Sequence, residues 1–497
     1  MRQPLRARIG VWGTFDLDSL GDQLRLSVLS HELARRLPGA TIRAFAPYGY
    51  LRPTRLDGGE PAEPLGAWSE DRAAELAAEL DCVIVAGVEL HGLQGGESLA
   101  SRYGVDPEEV RRLAPDRFFI EGLGPELEGR CPIVWSSVGL AVAHDPELAS
   151  RLAAALSSRP HISVRDEISR ARLEATGVTR TIEVVPDPAL LAPRLYPASL
   201  LEKRLEYLRL MEWYPRRGGA LVLQASKNLA SQTTHLTAAL RPLLEGRDDL
   251  SLVIARVDPG DEALSGASHF ALPAAAGAAD LLAAISASSG FIGDSLGGHL
   301  AAAAYGVPQV VLNFDHRYDL SGLAELWGAP DRLAEAPEAV PGAYERAVKA
   351  LLREGELAPR LVDRIDSHLD AIAGIAREAA MGRAELEPDF EFDWLRRLLA
   401  DREGYLEALR RAHEARGWRL AAERVAFADH VRDLRAEIAA KEARAEAEVA
   451  LARREALEAR GREEAAVDEL EALLATRTFR YTAALRKLYA RLRARAG

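Results

Sequence analysis

The chain has 497 residues, of which 48% are hydrophobic and 28% charged, and its formal net charge is −12. This length exceeds what one hydrophobic core usually organises, so we expect two or three domains. The acidic balance argues against bulk nucleic-acid binding, and no stretch reaches the roughly 18 consecutive apolar residues that cross a bilayer. The first residues lack the apolar core of a signal peptide, so we expect a cytoplasmic protein.

Short apolar runs alternate with amphipathic stretches through residues 1–196. The run ARIGVWG precedes the amphipathic SLGDQLRLSVLSHELARRL, and TIRAFAP, DCVIVAG, CPIVWSSVG, HISVRD and TIEVVPDPALLA continue the series. Repeated βα units of this kind predict a parallel sheet covered by helices, because parallel strands need crossovers. Cys82 and Cys131 lie in two of the apolar runs and are predicted to be small buried residues.

The same alternation starts again at residue 220, after a polar segment. Pro197, Pro215, Gly218 and Gly219 punctuate that segment, which predicts a linker over residues 197–219. The runs ALVLQAS, LSLVIARVD, SGFIGD and PQVVLNF then predict a second Rossmann-like domain over residues 220–385. Its last part, from about residue 335, is expected to form helices that pack on this second domain.

Residues 386–475 are charged and rich in alanine, and Pro388 is the last proline of the chain. This composition predicts a long helical arm. Apolar positions recur with coiled-coil spacing, at Phe427, Val431, Leu434, Ile438, Ala445, Val449, Val467, Leu470 and Leu474. Two interpretations stay open, a homodimer formed through a coiled coil and a solvated single helix.

The last segment, residues 476–497, reverses the charge of the chain. It contains seven basic residues and no acidic one, at Arg477, Arg480, Arg486, Lys487, Arg491, Arg493 and Arg495. Tyr481, Leu485, Leu488 and Leu492 lie at helical spacing beneath them. The segment could therefore lie on the inner face of the membrane or bind an acidic protein.

Four segments together resemble the polysaccharide pyruvyl transferase family. They are GVWGTFDLDSLGDQL, then DCVIVAGVELHG with CPIVWSSVGLAV, then ISVRDEISRARLEATGV with VVPDPALL, and finally SSGFIGDSLGGHLAAAAYGVPQVVLNFDHR. The resemblance implies two Rossmann-like α/β domains that face a cleft, as in the glycosyltransferase-B arrangement. It also implies transfer of a pyruvyl group from phosphoenolpyruvate, as the donor substrate, to a sugar hydroxyl. We expect no cofactor, and no metal because no cluster of His, Cys or carboxylate residues in the sequence shows ligand spacing.

The positions that match the family are the candidate substrate-binding residues. They are Asp22, Arg165, Asp187, Ser295, Gly297, Gly298 and Arg317. Guanidinium groups suit the carboxylate and the phosphate of the donor, and backbone amides at a helix start suit a phosphate. Lys227 and Arg256 are weaker cationic candidates.

The family's catalytic histidine position holds Gly297 in this chain. His299 lies two residues later, and on a helix that offset turns a side chain by about 200°. His299 and His316 are the predicted proton donors, and His269 is a further candidate. Three functions stay open: an active pyruvyl transferase, a catalytically inactive scaffold or binding protein of a glycan assembly complex, and a nucleotide-sugar glycosyltransferase.

Overall fold

In a computed structural model of the protein, the chain divides into two compact units, residues 1–415 and 416–497. The described residues of the first unit are 7–17, 19–49, 62–90, 99–100, 103, 105–141, 146–224, 229, 233–245, 247, 249–255, 269–272, 276–351 and 357–386. Those of the second unit are 454, 460–462, 465–472 and 476–494.

The first half of the first unit is built on a parallel sheet. Its strands are β1 (Arg8–Trp12), β2 (Thr41–Ala46), β3 (Glu63–Pro64), β4 (Cys82–Ala86), β5 (Glu89–Leu90), β6 (Ile133–Leu140), β7 (Ile162–Val164) and β8 (Glu183–Val184). They lie in the order β3-β2-β1-β4-β6-β7-β8, and β5 pairs with β6. The helices are α1 (Leu20–Arg36), α2 (Glu70–Glu79), α3 (Pro107–Leu113), α4 (Pro115–Ile120), α5 (Pro125–Glu128), α6 (Pro146–Leu156), α7 (Glu167–Ala175), α8 (Ala192–Leu195) and α9 (Ala198–Leu210), with a 3₁₀ turn at Pro188–Leu191.

The second half repeats this architecture. Its strands are β9 (Gly219–Gln224), β10 (Leu250–Ala255), β11 (His269–Leu272), β12 (Gly290–Gly293), β13 (Gln309–Leu312) and β14 (Leu333–Ala334), in the parallel order β11-β10-β9-β12-β13-β14. The helices are α10 (Thr233–Leu244), α11 (Ala278–Ser286), α12 (Leu296–Ala304), α13 (Tyr318–Leu326) and α14 (Val340–Leu351). The predicted pair of Rossmann-like α/β domains is confirmed.

Local chemistry explains where the elements begin and which faces they bury. All five residues of β4 are buried, because helices cover both faces of the sheet. Ser19 caps α1 by accepting a hydrogen bond from the Asp22 amide, and Ser295 caps α12 by accepting one from the Gly298 amide. In each sheet the strand order reverses beside the first strand, and ligands of such folds bind at the carboxyl ends of the strands near that point.

The two halves share one hydrophobic core. A continuous buried cluster includes Leu24 of α1, Phe291 of β12 and Leu300 of α12. Helix α1 packs directly against α11 and α12 of the second half. The halves therefore meet through apolar side chains, and each buries surface that it could not cover alone.

Two segments differ from the sequence prediction. Residues 197–219 are not only a polar linker, because α9 packs on α11 and Arg204 Nε lies 2.6 Å from Asp280 Oδ1. The expectation that all helices after residue 335 pack on the second half is correct for α14, which packs on β13, and wrong for the helix that follows.

That last helix, α15 (Leu357–Leu386), packs on α1 and β4 of the first half. Its buried stripe includes Ile365, Leu369 and Ile372, which belong to the shared core. The amphipathic pattern predicts the helix and its apolar face, but carries no information about which sheet that face covers.

In the second unit, α16 (Arg477–Arg493) forms within the predicted basic segment. Leu485, Leu488 and Leu492 are exposed there, as are Val467 and Leu470 of the predicted coiled coil. The other coiled-coil positions, 427–449 and 474, lie outside the described residues, so the coiled coil stays a prediction. Among the helices that the structure describes, none has both the length and the hydropathy needed to cross a membrane.

Candidate functional site

A narrow crevice lies between the two halves and contains several of the predicted residues. Its first-half wall is formed by Arg165, Asp166 and Asp187. Its second-half wall is formed by Leu296, Leu300, Asp319, Leu323 and Leu326, and only about 10 Å³ between the walls is open to a water-sized molecule. The structure therefore brings Arg165 and Asp187 beside the start of α12.

Arg165 follows β7 and is almost fully buried. Its Nη2 donates to Tyr318 Oη at 2.9 Å and lies 3.5 Å from Glu89 Oε1, and its Nε donates to Asp166 Oδ2 at 3.3 Å. Burial works against the charge, yet Tyr318, Glu89 and Asp319 hold the pKa of the guanidinium well above its ordinary value. Arg165 is thus a permanent cation at the meeting point of the halves.

A glycine makes room for this guanidinium. A Cβ atom on Gly139 of β6 would lie only 2.5 Å from Arg165 Cζ. The absence of a side chain at Gly139 therefore admits an arginine side chain close to the backbone. Asp166 caps α7 by accepting from the Ser169 amide at 2.6 Å, so this carboxylate has a structural role as well.

Arg317 lies on the second-half side and is partly open to solvent, with 37% of its side chain exposed. Its Nη2 lies 2.7 Å from Asp319 Oδ2, and its Nη1 donates to the Asp294 carbonyl at 2.9 Å. The backbone N–H of Arg317 donates to Asn313 Oδ1 at 2.6 Å, which fixes the turn after β13. Arg317 is therefore the more accessible of the two predicted cations.

Asp22 and Asp187 are joined by Arg25, which the sequence analysis did not identify. Arg25 Nη1 donates to Asp22 Oδ1 at 2.7 Å, and Arg25 Nη2 donates to Asp187 Oδ2 at 2.6 Å. All three side chains are buried. A Cβ atom on Gly87, at the end of β4, would lie 2.0 Å from Arg25 Nε. The signal available in the sequence is a charged residue among the apolar positions of α1.

Gly297, where the resemblance noted in the sequence analysis implies the family's histidine position, lies in a contact between helices. A Cβ atom there would lie 2.4 Å from the backbone nitrogen of Gly21 and 2.6 Å from its Cα. A Cβ on Gly298 would lie 2.3 Å from Phe291 Cζ, and the Gly298 N–H donates to Ser295 Oγ at 3.2 Å. These glycines serve helix packing and capping here, which does not favour their predicted role in substrate binding.

His299 points away from the crevice into the core of the second half. Its Nε2 lies 2.8 Å from the Gly293 carbonyl oxygen, and its Nδ1 lies 2.8 Å from Gln309 Oε1. The ring is fully buried between Phe291 and Trp327, and this burial lowers its pKa. Both ring nitrogens are engaged, so the geometry favours a structural histidine over the predicted proton donor.

His316 is the more accessible of the predicted proton donors. It lies in the turn after β13 at φ +50°, next to Arg317, with 71% of its side chain exposed. Its Nδ1 lies 3.5 Å from Glu335 Oε1. Lys227 and Arg256 lie outside the described residues, and the described part of His269 is its backbone in β11.

Comparison with solved structures finds distant similarity to UDP-GlcNAc 2-epimerases and to a wall teichoic acid polymerase. UDP-GlcNAc 2-epimerase from Methanocaldococcus jannaschii is 14% identical, with a TM-score of 0.44, over 69% of this chain and 92% of that one. The Neisseria meningitidis UDP-GlcNAc 2-epimerase is 12% identical, with a TM-score of 0.45, over 76% of this chain and 100% of that one. The wall teichoic acid polymerase TagF is 12% identical, with a TM-score of 0.41, over 77% of this chain and 90% of that one. No curated protein matches the chain significantly in sequence.

The resemblance noted in the sequence is confirmed at the level of the family. The family model "Polysaccharide pyruvyl transferase" matches residues 20–316, which begin with α1 and end in the turn after β13. This match covers more than half of the chain and includes strands β2 to β13, together with the crevice residues from Arg165 to Leu300. The chain belongs to the polysaccharide pyruvyl transferase family.

Proposed function

We propose that the protein is a transferase of cell-surface polysaccharide biosynthesis, which moves a pyruvyl group from phosphoenolpyruvate to a sugar hydroxyl. The observation that carries this proposal is the crevice in which Arg165 of the first half faces the start of α12 in the second half. A donor that carries a carboxylate and a phosphate needs fixed cations. Arg165 and Arg317 supply them, and both belong to segments that resemble the family.

The chemistry requires an acid, because the methylene carbon of the donor must be protonated before one sugar hydroxyl attacks the neighbouring carbon. A second hydroxyl of the sugar then displaces phosphate from that carbon and closes a ketal, while one hydroxyl proton restores the acid and the other leaves with phosphate. His316 is our candidate for this acid, since it is exposed and adjacent to Arg317. The described crevice is narrow, so the halves must separate slightly to admit both donor and acceptor.

The first experiment measures donor binding to the full-length protein by calorimetry with phosphoenolpyruvate. We expect R165A to weaken binding about tenfold or more, because the buried cation is lost. The matched control is R170A, which removes an exposed arginine of α7 paired with Glu167. Equal affinity in R165A and R170A would contradict the proposed site.

The second experiment measures turnover with phosphoenolpyruvate and a panel of nucleotide sugars and lipid-linked sugars. We expect equimolar phosphate and a pyruvylated product, and we expect H316Q to slow turnover without a loss of donor affinity. Binding of a nucleotide sugar with no response to phosphoenolpyruvate would favour the glycosyltransferase alternative.

A catalytically inactive scaffold is the second candidate function. The observation that favours it is the contact between Gly21 and Gly297, which leaves no space for a histidine side chain at the family's catalytic position. A scaffold would bind phosphoenolpyruvate or a sugar without releasing phosphate in the turnover experiment.

We further propose that α16 brings the protein to the anionic inner face of the membrane. Leu485, Leu488 and Leu492 are 66%, 56% and 59% exposed and lie among arginines and a lysine, a composition that suits an anionic surface. Co-sedimentation with vesicles of anionic phospholipid tests this proposal. Equal pelleting of the full chain and of a chain lacking residues 476–497 would contradict it. If residues 476–497 were required for binding to an acidic protein and not for binding to the vesicles, the result would favour an acidic protein as the partner of this segment.

A further inference from the structure

Two histidines and a glutamate that are far apart in sequence meet on the first half, away from the crevice. His161 immediately precedes β7, Glu183 begins β8, and His368 lies on α15. One potential ligand atom from each side chain lies within 4.8 Å of the other two. Arg165 follows β7, so this cluster and the crevice lie at opposite ends of that strand.

The imidazole nitrogens of the cluster already face one another. His161 Nε2 lies 2.7 Å from His368 Nδ1, and the other nitrogen of His368 lies 2.9 Å from Ser136 Oγ. If His368 carries its proton on Nε2 and donates it to Ser136, its Nδ1 lone pair faces His161. A hydrogen bond from the ring nitrogen that does not bind the metal commonly orients a metal-binding imidazole.

The distances suit a small dication only after all three side chains adjust, because Glu183 Oε1 lies 4.0 Å from His161 Nδ1, the ring nitrogen that does not face His368. Zn²⁺ binds imidazole nitrogen at about 2.0 Å, so two ligands in tetrahedral geometry lie roughly 3.3 Å apart. The two facing nitrogens would therefore separate by about half an ångström, which the side-chain torsions of His161 can supply.

We propose that His161, His368 and Glu183 form a Zn²⁺ site that joins α15 to β7 and β8. Glu183 supplies the anionic ligand, and because 52% of its side chain is exposed, water can reach the fourth position. The ion would bind together three elements that are separated in sequence, and it would stabilise the placement of α15 on the first half. The role is structural and is independent of the proposed transferase activity.

The test uses tag-free, metal-depleted full-length protein titrated with Zn²⁺ alone, followed by calorimetry and by thermal unfolding. We expect one Zn²⁺ per chain and a higher midpoint of thermal unfolding when Zn²⁺ is present. Substitution with Co²⁺ should give the visible absorption bands of a tetrahedral site with nitrogen and oxygen ligands.

Variants separate a metal site from a hydrogen-bonded pair of histidines. E183Q removes a half-exposed ligand and should weaken Zn²⁺ binding at least about tenfold, and S136A should weaken it about tenfold through the orientation of His368. The matched control is E335Q, which changes an exposed glutamate beside the single histidine His316. Absence of stoichiometric binding, or equal affinity in E183Q and E335Q, would overturn the proposal.

Discussion

At the residue scale, the glycine at position 297 shows how a single small side chain sets the spacing of two helices. The backbone of Gly21 in α1 occupies the space into which a side chain at 297 would project. Backbone atoms cannot move as a flexible side chain can, so even one added methyl group must push α1 and α12 apart.

We therefore predict that G297A destabilises the protein by about 1–3 kcal/mol, the usual cost of overpacking a close contact. Urea unfolding measures the change. The control is G374A in α15, where an added Cβ meets no atom within 4 Å and the substitution should be neutral or slightly stabilising. A G297A variant as stable as G374A would mean that the helices separate at no cost.

A second residue with a testable effect is Asp116, in the first turn of α4. It is fully buried, its Oδ1 has no hydrogen-bond partner among the described residues, and burial raises its pKa to about 7. The folded protein therefore holds this proton more tightly than the unfolded chain does. Ionisation of the Asp116 carboxyl lowers the free energy of unfolding, and this loss grows as the pH rises from about 4 to about 7.

D116N removes that cost, so we expect its stability relative to the wild type to increase from pH 4 to pH 8, by at least about 1 kcal/mol. The free energy of unfolding, measured across this range, gives the result. E126Q, at an exposed position of α5, is the control and should show no such trend. A constant difference between D116N and the wild type would show that Asp116 is ionised throughout.

The sequence predicted parts of the site and not others, for physical reasons that differ between residues. Arg165, Asp187 and Arg317 were identified because they lie in segments that resemble the family. Arg25 was missed because its significance depends on Asp187, which is distant in sequence and reaches it only through the fold. The cluster of His161, Glu183 and His368 has no local spacing pattern for the same reason.

At the element scale, α15 is the feature that the sequence placed incorrectly. Its apolar stripe could cover either half, and specific ion pairs accompany its position on the first. Arg194 makes two hydrogen bonds to Asp366, at 2.7 and 2.6 Å, and Arg36 adds a third at 2.6 Å. These arginines hold the pKa of Asp366 at about 2.

We predict that D366N loosens α15 and destabilises the protein by about 1–2 kcal/mol at pH 7, an amount reduced because Asp366 is partly exposed. The folded-state pKa is lower than the unfolded one, so the contribution of Asp366 exists above pH 4 and disappears as the pH falls toward 2. Hydrogen exchange of α15 amides measures the local effect. D363N, at an exposed position of the same helix, should leave exchange unchanged, and equal exchange in both variants would contradict the role of Asp366.

At the scale of the first unit, the order of elements was predictable and the sharing of its core was not. Alternating strands and helices are visible in the apolar runs, and they give two sheets of the same topology. Nothing in those runs shows that Leu24 and Leu300 belong to one buried cluster. That knowledge requires the packing of α1 against α12, which depends on the paired glycines.

A shared core predicts that the two halves unfold together. Leu240 belongs to a buried cluster confined to the second half, and Leu76 belongs to one confined to the first half. Leu300 belongs to the shared cluster, and we compare the variants L240A, L76A and L300A. Each substitution should lower the free energy of unfolding by about 2–5 kcal/mol. In each variant the slowest-exchanging amides of β1 and of β9 should lose the same amount of protection against hydrogen exchange. Hydrogen exchange with mass spectrometry reads both strands in one experiment. If L240A left β1 at wild-type protection, the two halves would be separate folding units and the shared cluster would not couple them.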